Sequence, residues 1–255
     1  MRVARVLSDG SARYAVVEGA EARLIEGAPY DGVTLSNAPP EEFAALSLLV
    51  PVEPTTVFAV GRNYAAHAQE MGTLVRDEPT VFLKPPGSLL PSGGTVVLPP
   101  TAVSQRVEHE AELAVVIGKR ARNVNRDQAL SYVFGYTCAD DVSARDIQRA
   151  DVTPTRAKGF DTFCPLGPWI ETDVSTDALA IRCTVNGELR QDGNTNQLLF
   201  DVATIVSWIS GWATLRPGDV ILTGSPAGTG PLVAGDVVEI EVEGIGRLVH
   251  NVAAA

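Results

Sequence analysis

The segment VEHEAELAVVIGK at residues 107–119 alternates charged with apolar or neutral side chains and then turns continuously apolar, as a strand does on entering a core. In that register Glu108, Glu110 and Glu112 share one face. Successive acids stand about 6.5–7 Å apart at Cα, so two of them can converge on one cation. Unpaired acids beside a hydrophobic run repel one another and lose hydration. A hard divalent cation offsets both costs, and Mg²⁺ or Mn²⁺ prefers oxygen donors while keeping waters that a substrate can displace. A solvated strand face rimmed with charge produces the same pattern, and periodicity does not select two glutamates of the three.

Further chemistry-bearing groups follow a similar logic. In GYTCADDVSARDIQRAD (135–151) a strand-like run ends at Asp140 and Asp141, where these acids and Asp146 either close a site or cap turns and a helix. Arg145 among them offers a planar fork for a carboxylate. In GRNYAAHAQEMG (61–72), a short helix capped by Asn63 would turn His67 and Glu70 the same way, as a carboxylate-oriented general base or as a surface ion pair. Lys158, in AKGFDTFCPLGP, is either a packed surface lysine or a carboxylate anchor. The loop LTGSPAGTG (222–230) lacks the Gly-Lys-Ser/Thr ending of a P-loop, so a nucleotide site is not expected there, although its backbone can approach an anion.

The elements that must position these groups are mostly short strands: VFAV, VFLK, TVVL, ELAVVIG, FGYTCA, IRCTVNG, DVILTG and DVVEIEVEG. Helical patterns are few, DQALSYV and LLFDVATIVSWISGWA being the clearest. This predicts a β-dominated, mixed α/β fold. The first 50 residues read as a β-rich segment with a hairpin around SDGS, and PVEP at 51–54 suggests a boundary between a small domain, 1–53, and a larger one, 54–255.

Twenty basic against 31 acidic residues give a net charge of −11, which repels nucleic acid and anionic lipid, so a small anionic substrate needs local cations. No apolar run reaches the roughly 20 residues of a membrane span, and the first residues lack a signal-peptide apolar region, which makes the cytoplasm the expected location. Cys138, Cys164 and Cys183 have no C-x-x-C spacing and read as reduced, buried hydrophobes. No His/Cys set suited to zinc is visible.

Taken in order, GRNYAAHAQEMG, FLKPPGSLL, HEAELAVVIGK, DDVSARDIQ, KGFDTFCPLGPW, VNGELRQDGNT and DVILTGSPAGTG resemble the fumarylacetoacetate hydrolase family from Val57 to the carboxyl terminus. The resemblance implies that family's mixed β-sheet roll, a homodimer, and one Mg²⁺ or Mn²⁺ per subunit. It selects Glu110, Glu112 and Asp141 as the metal ligands and leaves Glu108 outside. By the same match His67 and Glu70 form a water-activating dyad on a lid-like segment, Lys158 joins them as a catalytic residue, and Arg145, Gln148, Lys158 and Thr223 hold substrate carboxylate and oxo groups, with Arg62 and Lys84 as further cations. Many members carry Asn where this chain has Asp140. The implied activity is on small 2-oxo, enolisable carboxylic or dicarboxylic acids through an enolate, with C–C hydrolysis of an acylpyruvate expected first. Oxaloacetate decarboxylation, or isomerisation and decarboxylation of 2-hydroxyhepta-2,4-diene-1,7-dioate, is the alternative, and a non-catalytic, metal-stabilised binding protein is the reading from another class.

Overall fold

The chain is described over residues 1–255 by a computed structural model. The expected hairpin forms, with Arg2–Ser8 antiparallel to Ser11–Glu18. Its two turn residues, Asp9 and Gly10, both have positive φ, 48° and 73°, the geometry whose twist suits a two-residue hairpin loop. Arg2–Ser8 also pairs with Cys164–Glu171, so the amino-terminal strands extend one mixed, twelve-stranded sheet. Beyond Cys164–Glu171 that sheet continues through Val133–Asp140, Ala111–Ile117, Val220–Leu222, Val57–Val60 and Val81–Lys84. A second sheet of five strands runs Glu188–Asn194, Ala180–Val185, Val237–Val242, Gly246–Ala254 and Thr95–Leu98. The fold is β-dominated and mixed, as the strand pattern predicts.

Ala111–Ile117 is buried on both faces, which is why its sequence reads as an uninterrupted apolar run. Leu113, Val115 and Ile117 pack in the core that includes Ile181, Val238, Ile240 and Leu248 of the smaller sheet, whereas Ala114 and Val116 pack with Val57, Ala139, Leu166 and Leu222. The helix Val202–Trp212 covers the first of these cores with Ile205, Val206 and Ile209. It starts later than the apolar pattern from Leu198 suggests, because the Asp201 carboxylate accepts the Thr204 N–H at 2.8 Å and fixes the cap there. DQALSYV forms only a turn of helix, Arg126–Ala129, and a 3₁₀ turn, Leu130–Tyr132, before Val133 is drawn into the sheet. No helix is long and apolar enough to cross a membrane.

The expected continuous strand through VEHEAELAVVIG is interrupted. Val107–Glu108 pairs with Ser143–Ala144, Ala111–Ile117 pairs with Val133–Asp140, and His109 and Glu110 lie in the break. Nearby, the parallel strands Val57–Val60 and Val220–Leu222 deliver Gly61–Asn63 and Thr223–Ser225 side by side. Fully buried Asp219 sets their register: Oδ1 accepts the Thr55 N–H at 3.0 Å, the Thr55 hydroxyl at 2.8 Å and the Thr56 N–H at 2.9 Å, while Oδ2 accepts the Arg216 N–H at 2.8 Å. Asp219→Ala strands these donors and is expected to lower the unfolding free energy by about 2–4 kcal/mol. Urea denaturation checks this, and an unchanged midpoint would mean that the clamp is dispensable.

Candidate active site

Glu110, Glu112 and Asp141 each place a carboxylate oxygen within 4.8 Å of the others, and all three residues are buried. Asp141 follows the strand Val133–Asp140, Glu112 lies near the start of Ala111–Ile117, and Glu110 sits in the break just before it. The break separates Glu108 from this group. Glu108 instead accepts from Arg106 Nε at 2.6 Å and from Arg145 Nε at 2.7 Å. The three acids of the following segment also take different parts. Asp146 ties down a loop and a helix start by accepting from the Ser104 hydroxyl at 2.6 Å and the Gln105 and Ile147 N–H groups. Asp140 Oδ1 accepts the Glu110 N–H at 2.7 Å, and only Asp141 joins the cluster.

Buried cations surround these acids. Lys158 Nζ bridges Glu110, at 2.5 Å, and Asp141. Lys84 Nζ bonds Asp141 at 2.6 Å and the Phe163 carbonyl at 2.9 Å. Arg145 spreads its fork over Glu108, Glu110, at 2.5 Å, and the Gln148 carbonyl oxygen at 2.9 Å. Burial alone would raise the Glu110 pKa, but Arg145 and Lys158 outweigh it and hold that carboxyl well below its usual range. Glu112 has no ion-pair partner. Burial first, then the charges of Asp141 and Glu110, push its pKa well above the usual carboxylate range despite the Gly224 N–H at 2.5 Å.

These residues fit a hard divalent cation. The donors are carboxylate oxygens, the type Mg²⁺ and Mn²⁺ prefer, an ammonium already bridges two of them, and the third lacks a positive charge. Tyr64 adds a buried hydroxyl with no hydrogen-bond partner, close enough to feel the Glu112 charge.

His67 and Glu70 lie on the helix Ala65–Glu70 three residues apart, with His67 Nδ1 3.0 Å from Glu70 Oε2. Nε2 points to the cluster, 3.5 Å from Glu110 Oε1. Burial works against the imidazolium, yet Glu110 and Glu70 raise the His67 pKa overall. Glu70 is in turn anchored by the Gly228 N–H at 3.1 Å. Asn63 does not cap this helix as expected. Its amide donates to the Phe200 and Thr223 carbonyls at 2.9 and 2.8 Å and its oxygen accepts the Phe200 N–H, which consumes the side chain in joining the segments at Phe200 and Thr223. Gly224 packs against it at φ +104°, where a Cβ would come within 2.7 Å of the Asn63 Cβ, so no other residue fits.

A cavity of about 220 Å³ opens over the cluster, lined among others by Arg62, His67, Glu110, Glu112, Asp141, Arg145, Gln148 and Lys158. Met71, Phe82, Val152 and Pro154 give it apolar walls. Arg62 is the one cation of this lining without an ion pair. Thr223, expected beside the substrate, is fully buried with its hydroxyl donated to the Leu113 carbonyl at 2.9 Å, and Ser225 lines the cavity from that loop. Lys84, named as a further cation by the family resemblance, reaches Asp141 from the end of the strand Val81–Lys84. His250 and Gln191, which hold the break from the smaller sheet, were not anticipated. The alternation of inward Leu248, His250 and Val252 is the signal that would have placed His250 in the core.

Residues 56–253 match the family described as fumarylacetoacetate (FAA) hydrolase C-terminal, and residues 1–42 match Rv2993c-like, N-terminal. A mitochondrial oxaloacetate decarboxylase of Dictyostelium discoideum is 43% identical over 196 residues, 74% of this chain and 89% of that one. The mitochondrial oxaloacetate tautomerase FAHD2B of Bos taurus is 40% identical over 259 residues, 96% of this chain and 78% of that one. The crystal structure of a 2-hydroxyhepta-2,4-diene-1,7-dioate isomerase from Mycobacterium marinum superposes with a TM-score of 0.92 at 41% identity, covering 100% of this chain and 98% of the other. The fold that carries Glu110, Glu112, Asp141 and the His67–Glu70 pair is thus a shared one, and the chain belongs to the fumarylacetoacetate hydrolase family.

Proposed function

We propose that this enzyme moves a proton at the carbon next to the 2-oxo group of a small dicarboxylic acid of the oxaloacetate type, with Mg²⁺ or Mn²⁺ held by Glu110, Glu112 and Asp141. The observation that carries the reading is that His67 Nε2 and the three carboxylates face one cavity whose lining also includes Arg62, Arg145 and Lys158. The names of the similar proteins, an oxaloacetate decarboxylase, an oxaloacetate tautomerase and a dienedioate isomerase, all denote chemistry on dicarboxylic acids and support the substrate class.

When bound, the cation supplies Lewis acidity that lowers the cost of negative charge at the C2 oxygen. The chain's own residues do the rest. Glu70 accepts from His67 Nδ1–H, so that in the neutral imidazole Nε2 is the atom that takes and returns a proton at C3. Arg145 consumes the Gln148 carbonyl, so the Gln148 amide is left as a donor to a substrate oxygen. Lys158 and Arg145 are the donors for the carboxylate attached to the 2-oxo carbon. Arg62, free of any ion pair, meets the distal carboxylate. Met71, Phe82 and Val152 restrict water around the reacting carbon. A second reading, hydrolysis of an acylpyruvate, is favoured by the dyad itself, because a bare Nε2 oriented by a carboxylate suits water as well as a C–H group.

Purified protein assayed with oxaloacetate, 2-hydroxyhepta-2,4-diene-1,7-dioate and acetylpyruvate, with Mg²⁺, Mn²⁺ or a chelator, tests the proposal. The two dicarboxylates are expected to turn over only with metal, and His67→Ala is expected to lower kcat by about 10²–10⁴-fold while Mn²⁺ affinity holds. Turnover confined to acetylpyruvate would favour hydrolysis, and undiminished turnover in His67→Ala would remove the dyad. Arg62→Ala should raise KM for the dicarboxylates by about 10–100-fold and leave KM for acetylpyruvate unchanged, as expected for the loss of one charge-assisted contact. Equal effects on both substrate types would deny Arg62 the distal carboxylate.

A further inference from the structure

Asp140 and His250 are both fully buried, and neither takes part in the chemistry described above. Asp140 ends a strand of the larger sheet, while His250 lies in Gly246–Ala254 of the smaller one, opposite Val238. His250 Nε2 stands 2.8 Å from Asp140 Oδ2, and the other oxygen of the same carboxylate accepts the Glu110 N–H at 2.7 Å. A carboxylate only accepts, so His250 Nε2 is the donor. The Glu110 carbonyl is held as well, by the Asp141 N–H at 2.9 Å.

This arrangement answers a specific need. Glu110 lies in the break between two strands, where no ladder partner takes its N–H, and a buried unpaired N–H is costly. Asp140 takes that N–H, but its second oxygen, sealed from water, then needs a donor of its own. His250 provides it across the two sheets. Gln191, also from the smaller sheet, treats the next residue in the same way by accepting the Ala111 N–H at 3.0 Å. The peptides on both sides of the Glu110 side chain are therefore fixed by side chains bonded to, or reaching from, the smaller sheet.

We propose that His250, acting through Asp140, is a positioning residue for the metal centre, setting the backbone of Glu110 and hence the spacing of its carboxylate from Glu112 and Asp141. The inference rests on the reading of those three acids as cation ligands. It also gives Asp140 a use that does not involve touching the cation.

The test is the Mn²⁺ dissociation constant of the full chain by isothermal titration, with the thermal midpoint of the metal-free protein measured alongside. His250→Phe and Asp140→Ala are expected to weaken Mn²⁺ binding by about 10–100-fold, the usual loss when a group that orients a ligand is removed, and His250→Gln, which keeps an N–H donor of similar reach, should stay within about 3-fold of the parent. If His250→Phe does not fold, Asp140→Ala and His250→Gln decide. Parental affinity in both truncations, or a loss in His250→Gln as large as in His250→Phe at an unchanged midpoint, would overturn the inference. Glu112→Ala is the control for the reading beneath it: binding lost there but kept in the truncations refutes the positioning role alone, whereas binding kept in Glu112→Ala refutes the ligand assignment.

Discussion

Burying several acids in one place is the constraint around which this molecule is organised. Glu110, Glu112 and Asp141 meet within 4.8 Å with almost no access to water, and Glu108 and Asp140 lie just behind them. Each loses its hydration there and so needs a partner of its own. Arg145, Lys84 and Lys158 are drawn inward as ion-pair partners and His250 as a hydrogen-bond donor, which accounts for a fully buried arginine and two buried lysines in a chain of this size. Their ion pairs leave one acid without compensation. Glu112 is the residue on which a bound divalent cation would have the greatest effect.

The two sheets divide the labour of holding this charge. The larger sheet carries the acids on neighbouring strands, so the spacing of Glu112 and Asp141 follows from the antiparallel register that sets Ala111 against Asp140. The smaller sheet contributes no acid to the cluster. It supplies Gln191 and the His250 that backs Asp140, polar side chains at inward positions of strands that are otherwise apolar there. Such buried polar groups stabilise little on balance, and their cost is met where they specify one arrangement of neighbouring backbone. The break at His109–Glu110 is that place.

Much of the fold was legible because alternation and turn residues are local signals. The Asp9-Gly10 hairpin and the strands VFAV, VFLK and TVVL formed where the pattern put them. The strands Cys164–Glu171, Glu188–Asn194 and Gly246–Ala254 were not, since prolines and glycines interrupt the first, charges dominate the second, and the third is recognisable only once its partner is known. The acidic cluster was half legible. Spacing marked Glu108, Glu110 and Glu112 alike, and only the ordered motifs separated Glu108 from the other two. The physical reason for that separation, a strand break held by Asp140 and Gln191, depends on residues 30 and 80 positions away, which no local pattern contains. Asn63 illustrates the converse: its polar side chain suggested a helix cap, and tertiary contacts use it to bind the Phe200 and Thr223 backbone instead.

The central claim is that the three acids share one cation, and anomalous diffraction from crystals grown with Mn²⁺ tests it most directly. The account predicts a single strong peak between Glu110, Glu112 and Asp141, with the Lys158 ammonium withdrawn from its bridge between Glu110 and Asp141. No peak there, or one elsewhere with that bridge intact, would contradict it.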